Sequence, residues 1–163
     1  MTIRIMTIDD YDAVYALWAG LPGIGLHTHE DSREGMAYYL RRNPASCFVA
    51  EENGAPHGPY GLLGRNNHPC PSTEGNCRII GAVLCGNDGR RGYINHLAVS
   101  EEHRGQGIGR ALVNACLAAM KQEGIRMCSF VTYCDNDEGN AFWDALGSMR
   151  RDGCLYRNLE TGI

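Results

Sequence analysis

Apolar residues recur along the chain with two periods, one typical of strands and the other of helices. Residues 1–8 alternate between polar and apolar side chains, which favours a strand with one buried face. Residues 78–86 are apolar with little interruption, as in a strand covered on both faces. In chain order the pattern predicts strand 1–8, a helix between Asp10 and Gly20, a helix that ends before Asn43-Pro44, strands 47–50, 78–86 and 93–99, helix 107–123, strand 127–133, helix 137–146 and strand 153–159.

The order of these elements predicts an α/β protein built on a mixed sheet. Strands dominate the middle of the chain and helices lie between them, which favours a sheet covered by helices on both faces over a helical bundle or a β-sandwich. In the helix predicted over 107–123, Ile108, Leu112 and Ala119 lie on one apolar stripe, and its many alanines allow close packing on the sheet. Because 163 residues are typical of one domain, we expect residues 1–163 to form a single domain.

Composition and charge exclude several classes of protein. The chain is 44% hydrophobic and 21% charged, which is the ordinary balance of a folded globular protein. Its net charge is −4 and it has no long basic run, so we expect no nucleic-acid partner. We find no secretion signal and no apolar stretch near the roughly 18 residues of a spanning helix, so we expect no membrane partner. The eight cysteines form no Cys-x-x-Cys pair, which favours free thiols in the cytoplasm.

Residues 53–77 interrupt the succession of strands. This segment holds five glycines and four of the six prolines, a composition that favours turns over helix or strand. Its His57, His68, Cys70 and Cys77 are of types that bind metals, but their separations match no standard zinc spacing. We therefore expect a Gly/Pro-rich loop insertion and no metal site.

The segment Leu97–Arg110 combines a strand, a short turn and a helix start that is rich in glycine. Glycines let an anion approach backbone N–H groups closely, and the helix dipole adds partial positive charge there. The pattern favours a diphosphate site, although a plain glycine-rich turn has the same composition. No Lys follows Gly109 as in a Walker A loop, and the spacing Gly105-x-Gly107-x-Gly109 is not the Rossmann fingerprint.

Two motifs resemble one known family. The first is Arg-x-x-Gly-x-Gly over residues 104–109, directly after a Leu-Ala-Val strand, and it is similar to the motif of the GCN5-related N-acetyltransferase (GNAT) family. Residues 136–147 resemble that family's Asn-x-x-Ala-x-x-Phe-Tyr-x-x-x-Gly segment, with Gly139 in place of Ala and Trp143 in place of Tyr. The resemblance implies the acyl-CoA N-acyltransferase fold and covers residues 1 to about 159, apart from the insertion.

The resemblance also implies how acetyl-CoA is bound. Leu97, Ala98 and Val99 would pair their backbone with the pantetheine arm and offer an N–H group to the thioester oxygen. Asn136 would hydrogen-bond the pantetheine amides, although a polar residue there could equally cap the following helix. Phe142 and Trp143 would lie beside the thioester. The diphosphate would be held by the residues of the glycine-rich turn: Arg104, Gly105, Gln106, Gly107, Ile108, Gly109 and Arg110.

Two positions depart from the family pattern and leave the proton-transfer groups open. Trp143 stands where many members have a tyrosine that protonates the leaving thiolate, and Val131 stands where several N-terminal acetyltransferases have a glutamate base. Tyr133, on the same predicted strand, is a candidate catalytic acid because its phenol could donate to the departing sulfur, although an ordinary core tyrosine fits the pattern as well. Strict alternation along strand 93–99 turns His96 away from the face of Asn95, so we expect a structural role for His96.

The expected activity is direct transfer of acetyl from the thioester to a primary amine. At pH 7, deprotonating a lysine amine with a pKa of about 10.4 costs about 4 to 5 kcal/mol, whereas an α-amine near 8 costs about 1 to 1.5 kcal/mol. Because no strong base is evident, we predict an α-amine or small-molecule amine over a protein lysine. Candidate substrate-binding residues are His27, His29 and Glu30 of a polar linker, together with Tyr93 and Asn95.

The sequence leaves open two alternatives to an enzyme that transfers acetyl directly. The missing tyrosine and glutamate fit a non-catalytic acyl-CoA-binding module, which would bind the same donor. Cys134 could instead act as a nucleophile in a two-step transfer, but no histidine stands at a recognisable spacing to activate it. Since family members often form dimers, the resemblance also implies a homodimer.

Overall fold

The computed structural model describes residues 1–53 and 77–159, which belong to two compact units, Met1–Val131 and Thr132–Ile163. The strands of the first unit are β1 (Thr2–Ile5), β2 (Phe48–Asn53), β3 (Cys77–Asn87), β4 (Gly92–Val99) and β5 (Cys128–Ser129). Its helices are α1 (Tyr11–Ala19), α2 (Arg33–Arg42) and α3 (Ile108–Gln122), and 3-10 turns cover Ile8–Asp10 and Glu101–His103. The second unit contains helix α4 (Asp137–Ala145). No helix in the described ranges is both long and apolar enough to cross a bilayer.

The strands described in the first unit form one mixed sheet in the order β1-β2-β3-β4-β5. Each of β1 to β4 is antiparallel to its neighbours in that group, whereas β5 runs parallel to β4. This confirms the mixed sheet predicted from the order of elements. Asn53 of β2 pairs with Cys77 of β3, so the predicted insertion starts and ends at one place on the sheet. The residues between them, which include His57, His68 and Cys70, lie outside the described part of the chain.

Helices cover both faces of the sheet, as predicted. Gly81 and Ala82 are neighbours on β3 and therefore point to opposite faces. Ala82 lies in a core cluster with Trp18 of α1, whereas a Cβ added to Gly81 would lie 3.1 Å from Leu112 Cδ1 of α3. β3 is buried from Ile80 to Gly86, which confirms that this strand is covered on both sides.

The larger described core lies between the sheet and helices α1 and α2. Its members are apolar and almost fully buried: Met6, Val14, Trp18, Met36, Cys47, Val49, Ala82, Leu84 and Ala98. On the opposite face α3 buries Ile108, Leu112, Val113, Cys116, Ala119 and Met120, which includes most of the stripe predicted from its sequence. Burial of these two apolar faces is the main favourable contribution to the stability of the unit.

The structure corrects the first predicted strand. β1 ends at Ile5 rather than at residue 8. The Thr7 N–H donates to Asp10 Oδ2 at 2.8 Å and starts the 3-10 turn before α1. Arg4 stabilises the junction between β1 and this turn, because its guanidinium pairs with both Asp10 and Glu51 at 2.6 Å. These two carboxylates raise the pKa of Arg4 above its usual value, although burial opposes the shift.

The last two predicted strands are also corrected. Of the strand predicted over 127–133, only Cys128–Ser129 pairs with β4. The strand predicted over 153–159 is not formed, and Leu155 and Tyr156 there are 79% and 68% exposed. A strand needs a neighbour to satisfy its N–H and C=O groups, and the described part of the second unit contains no strand. The residue types in these two segments were therefore not sufficient to predict paired strands.

The pairing of β4 with β5 depends on the absence of a side chain at Gly92. A Cβ there would lie 2.6 Å from Cys128 Sγ and 3.2 Å from Met120 Sδ. We expect Gly92→Ala to lower the free energy of unfolding by about 1 to 3 kcal/mol, the usual cost of overpacking. Urea unfolding followed by circular dichroism measures this. Gly20→Ala is the matched control, because Gly20 has φ −80° and a Cβ there would lie no closer than 3.4 Å to another group. Equal midpoints for Gly92→Ala and the wild type would contradict the prediction.

Candidate functional site

The candidate site of the first unit is built around an open edge of β4. β5 pairs with β4 only at Gly92 and Tyr93, so the described strands leave the rest of this edge unpaired. Ser100, directly after β4, donates its N–H to a carbonyl of β3 at 2.9 Å. Backbone groups of successive residues in a strand point to opposite edges. Leu97 and Val99 therefore direct their N–H and C=O groups away from β3, towards the edge of β4 that β5 does not pair with.

A β-bulge interrupts β4 just before this open stretch. The register pairs Asn95 with Leu84 and Ala98 with Ala82, so two residues of β4 face one residue of β3 between these pairs. The extra residue reverses the alternation, and Asn95 and Ala98 consequently point to the same face. That face is covered by α1 and α2, because Leu84 and Ala82 both belong to their core cluster.

His96 is the residue with unusual backbone geometry in this bulge. Its φ is 49°, the left-handed region, and its imidazole packs edge-on against the indole of Trp18, with ring centroids 5.0 Å apart. His96 thus lies on the side of α1, which Asn95 also faces. The expectation that His96 points away from the face of Asn95 is therefore wrong, because that expectation assumed unbroken alternation.

The glycine-rich turn follows β4 and leads into α3. Gly105 and Gly107 have φ of 73° and 80°, and a Cβ added to either residue would have no atom within 4 Å. Both are exposed, whereas the next residue, Ile108, is buried against the sheet. The turn therefore presents backbone rather than side chains to the space in front of the helix, as a site for a phosphate group requires.

The start of α3 has backbone N–H groups that lie ahead of its helical ladder. Its first helical hydrogen bond runs from Ala111 N–H to Gly107 O at 3.0 Å, so the N–H groups of residues 108–110 precede the helical ladder. No side chain caps this end, because Gly107 is the N-cap residue. Arg104 adds positive charge, which is partly offset by Glu101 at 3.9 Å. The predicted residues 104–110 thus lie together in one exposed turn with donors at its helix start.

An open cleft lies at the other end of β4. It has a volume of about 620 Å³ and is lined by α2, by the hairpin between β3 and β4, and by Tyr93, Asn95 and Ser129. The Asn95 amide and the Tyr39 phenol share a hydrogen bond, and burial raises the pKa of Tyr39. The predicted substrate residues Tyr93 and Asn95 therefore line one cleft. Tyr39 was not found from the sequence, where it had only the helical spacing of a core residue.

The polar linker between α1 and α2 divides into exposed and buried parts. The predicted substrate residues His27, His29 and Glu30 are all exposed on its surface. The next residue, Asp31, points inwards and is 4% exposed. In the sequence Asp31 is one more polar residue of this linker, and no local signal distinguished it from Glu30. His27, His29 and Glu30 are not among the residues that line the cleft of Tyr93 and Asn95, and the linker residue that contacts β4 is Asp31, at His96.

The second unit carries the remaining predicted residues. Asn136 Oδ1 accepts a hydrogen bond of 2.9 Å from Gly139 N–H and caps α4, which is the helix-capping alternative considered above. The rings of Phe142 and Trp143 pack edge to face with centroids 5.1 Å apart. Tyr133 is 56% exposed, so it is not a packed core tyrosine. Its carbonyl accepts a hydrogen bond of 3.0 Å from Asn140 Nδ2.

Comparison with known proteins places these features in a family. A model described as the acetyltransferase (GNAT) family matches residues 11–147. The N-alpha-acetyltransferase 30 of Schizosaccharomyces pombe is 41% identical over 92 residues, which are 53% of this chain and only 61% of that protein. An acetyltransferase of Pectobacterium atrosepticum is 28% identical over 146 residues, 90% of this chain and 86% of its own. A chain of the NatC complex, solved with a Gag peptide and CoA, has a TM-score of 0.66 at 21% identity over 92% of this chain and 85% of that chain, a likeness of fold.

The described free thiols include buried, half-buried and exposed cysteines, and Cys128 is the half-buried one. Cys47, Cys85 and Cys116 are buried, whereas Cys134 and Cys154 are exposed. Burial raises the pKa of Cys47 to about 12, and a hydrogen bond with Cys85 raises that of Cys116. No group of three or more His, Cys, Asp or Glu side chains within residues 1–53 and 77–159 is arranged to hold a metal ion.

These environments predict which thiols react. The thiolate is the nucleophile, and at pH 8 a thiol with a pKa near 12 is ionised to roughly one part in 10⁴. Brief treatment of the native protein with iodoacetamide at pH 8 should therefore label Cys134 and Cys154 and leave Cys47 and Cys116 unlabelled until urea is added. Peptide mass spectrometry gives the labelled fraction at each site. Labelling of Cys47 at the rate of Cys134 in the native protein would contradict this.

Proposed function

The chain belongs to the acetyltransferase (GNAT) family, whose members use acetyl-CoA as acyl donor, and we propose that it transfers acetyl directly to the α-amine of a peptide or to a small-molecule amine. The observation that carries this proposal is the open edge of β4 followed by a glycine turn at the start of α3. One part can hold an extended chain with amide groups and the other a diphosphate. Acetyl-CoA has these two parts in the same order.

The glycine turn fits the diphosphate. The left-handed conformations of Gly105 and Gly107 leave open space where other residues would carry a Cβ. The N–H groups of residues 108–110, which precede the helical ladder, point into the region of positive potential at the helix start. In the proposed complex these groups donate to the phosphate oxygens, and Arg104 and Arg110 balance their charge. Gln106 completes the turn and is held by a bond of 3.4 Å from its Nε2 to Glu102 O.

The open edge fits the pantetheine arm. Leu97 and Val99 direct their N–H and C=O groups to this edge, and in the proposed complex they pair with the amides of the arm. Ala98 lies between them and keeps the strand in register through its pairing with Ala82. An N–H group aimed at the thioester oxygen stabilises the negative charge that develops there, and removing one such donor typically costs about 3 to 4 kcal/mol.

The remaining proposed contacts are those that the family resemblance assigns to residues 136–143, together with that of Tyr133. Asn136 Oδ1 already serves the cap of α4, so the proposed contact to the pantetheine amides is made by Nδ2. Phe142 and Trp143 provide an apolar surface for the thioester end. Tyr133 donates its phenolic proton to the leaving sulfur, a role that the Trp143 indole cannot perform.

Two observations favour an α-amine over a lysine. Val131, at the position where several N-terminal acetyltransferases have a glutamate base, supplies no carboxylate. A weak base suits an acceptor that is partly neutral at pH 7, which is true of α-amines and not of lysine. The relative with 41% identity is named an N-alpha-acetyltransferase, which supports the same choice.

A non-catalytic acyl-CoA-binding module is the second candidate function. It is favoured by the absence of a tyrosine at Trp143 and of a glutamate at Val131. Both candidates bind the donor, so affinity does not separate them. Only the enzyme releases free CoA thiol in proportion to added amine.

The first test measures that release. With acetyl-CoA at saturation and pH 7, a peptide with a free N-terminus and no lysine should release thiol with a kcat/KM about 10²-fold higher than an N-terminally blocked peptide containing lysine, because its neutral fraction is larger by about that factor. Cys134→Ala should behave like the wild type. Equal rates for the two peptides would overturn the preference, absence of release with any amine would favour the binding module, and loss of activity in Cys134→Ala would favour a two-step transfer.

The second test concerns the glycine turn. Gly107→Ala places a methyl group where the diphosphate is proposed to approach, so we expect its Kd for CoA, measured by calorimetry, to rise about 10-fold or more. Gly124→Ala is the matched control, because Gly124 lies at the opposite end of α3 with φ 78° and equally open space. Both variants suffer similar backbone strain, of about 1 to 2 kcal/mol. The proposal fails if both variants bind CoA with the same affinity.

A further inference from the structure

A buried carboxylate connects the linker between α1 and α2 to the bulge of β4. Asp31 Oδ1 lies 2.8 Å from His96 Nε2, and Asp31 Oδ2 accepts a hydrogen bond of 2.7 Å from His27 N–H. The Asp31 carbonyl accepts a further bond of 2.9 Å from the Tyr11 hydroxyl of α1. The side chains of Asp31 and His96 are 5% and 15% exposed, so water screens their interaction only weakly.

The surrounding contacts hold His96 in a strained conformation. Among the described residues, His96 alone has positive φ without being a glycine. Such a conformation typically costs about 1 to 3 kcal/mol and persists where neighbouring contacts enforce it. Here Trp18 Nε1 donates to His96 O at 3.1 Å, and Asp31 holds the imidazole. These contacts with Trp18 and Asp31 therefore fix the orientation of the His96 side chain on β4, in spite of the conformational cost.

The hydrogen bond to Asp31 determines which ring nitrogen can accept a proton. In the neutral imidazole, Nε2 carries the hydrogen that Asp31 accepts, so the lone pair is on Nδ1. Nδ1 has no hydrogen-bond partner among residues 1–53 and 77–159. No fully buried side-chain nitrogen or oxygen in those ranges lacks a partner, so Nδ1 keeps accessible surface. Asp31 and His96 therefore form an oriented pair in which the Nδ1 lone pair is not fully buried and is not used by another described residue.

Of the groups around the His96 imidazole that are named here, Asp31 is the ionisable one in contact with the ring. The linker contributes Asp31, and Tyr11 of α1 lies one hydrogen bond further away. Trp18, also from α1, does not titrate. The residues of β3 opposite the bulge, Val83 and Leu84, are apolar.

The position of His96 relates this base to acyl transfer. His96 directly precedes Leu97, with a Cα–Cα separation of about 3.8 Å, and Leu97 belongs to the open edge. We propose that His96, oriented by Asp31, is a catalytic base that takes a proton from the acceptor amine. This inference rests on the proposed function. His96 Nδ1 removes one proton from the protonated amine and releases it to solvent, and the neutral nitrogen then forms the C–N bond. The C–S bond breaks with its electron pair on sulfur, and the second proton of the nitrogen passes through solvent to the sulfur side. The products are an amide, a free thiol and one proton in solvent.

The test uses His96→Gln and Asp31→Asn in the full chain. At pH 7 and saturating acetyl-CoA, we expect each variant to lose about 10²-fold in kcat/KM for the amine, the lower range for general-base catalysis. KM for acetyl-CoA should not change. The loss should shrink as pH rises towards 9, because the amine then arrives already neutral, and added imidazole should restore part of the activity of His96→Gln. Asp12→Asn, which breaks an exposed pair with Arg33 at 2.7 Å, is the matched control and should behave like the wild type.

The outcomes separate this inference from the proposed function. An inactive wild type would overturn both. An active wild type with His96→Gln within threefold of it, and with the same pH profile, would overturn the role of His96 alone. A loss of equal size at every pH without rescue by imidazole would show that the pair only holds the linker, and would also overturn the proposal. Asp31→Asn keeps the size and shape of the side chain but removes its charge and one hydrogen-bond acceptor, so it provides a second reading if His96→Gln does not fold.

Discussion

The early separation of β5 from β4 is the constraint on which the candidate site depends. An edge strand with unpaired N–H and C=O groups is a liability in most sheets, because another strand can add to it. Here the open stretch is short, and its other edge is tied to β3 through Ala98 and the N–H of Ser100. Gly92 lets β5 come close enough to pair with β4 at Gly92 and Tyr93. The result is a strand that is rigid on one side and available to an extended amide-containing ligand on the other.

The anchoring of α3 connects this edge to the glycine turn. Ile108, the first residue of the helix, is buried, and a Cβ at Gly81 of β3 would lie 3.2 Å from its Cγ2. Gly81 also pairs with Val99, the last residue of β4. The end of the open edge and the start of the helix are thus attached to the same residue of β3. Because this contact fixes the spacing between the two features, a ligand that spans both meets a preorganised surface and loses less free energy in ordering it.

The elements that could be predicted from the sequence are those with local signals. The mixed sheet, the stripe of α3 and the turn at Gly105 and Gly107 follow from periodicity and glycine spacing. His96 could not be predicted, because one extra residue in β4 reverses the alternation and no local pattern marks it. Asp31 resembles its exposed neighbours until the fold brings β4 beside it. The strand over 153–159 was predicted from its residue types, but a strand also requires a partner, which depends on the rest of the chain.

Acidic residues lie next to the glycine turn, in a chain of net charge −4. Their negative charge would repel the diphosphate that the turn is proposed to bind. The structure pairs these residues with cations: Glu101 lies 3.9 Å from Arg104, and Glu102 lies 3.2 Å from Arg78. Such exposed pairs contribute little to stability. The pairs do reduce the negative potential next to the turn, because an arginine within 4 Å offsets the charge of each of these two carboxylates. The backbone donors at the start of α3 then dominate the field in front of the helix, where a diphosphate would bind.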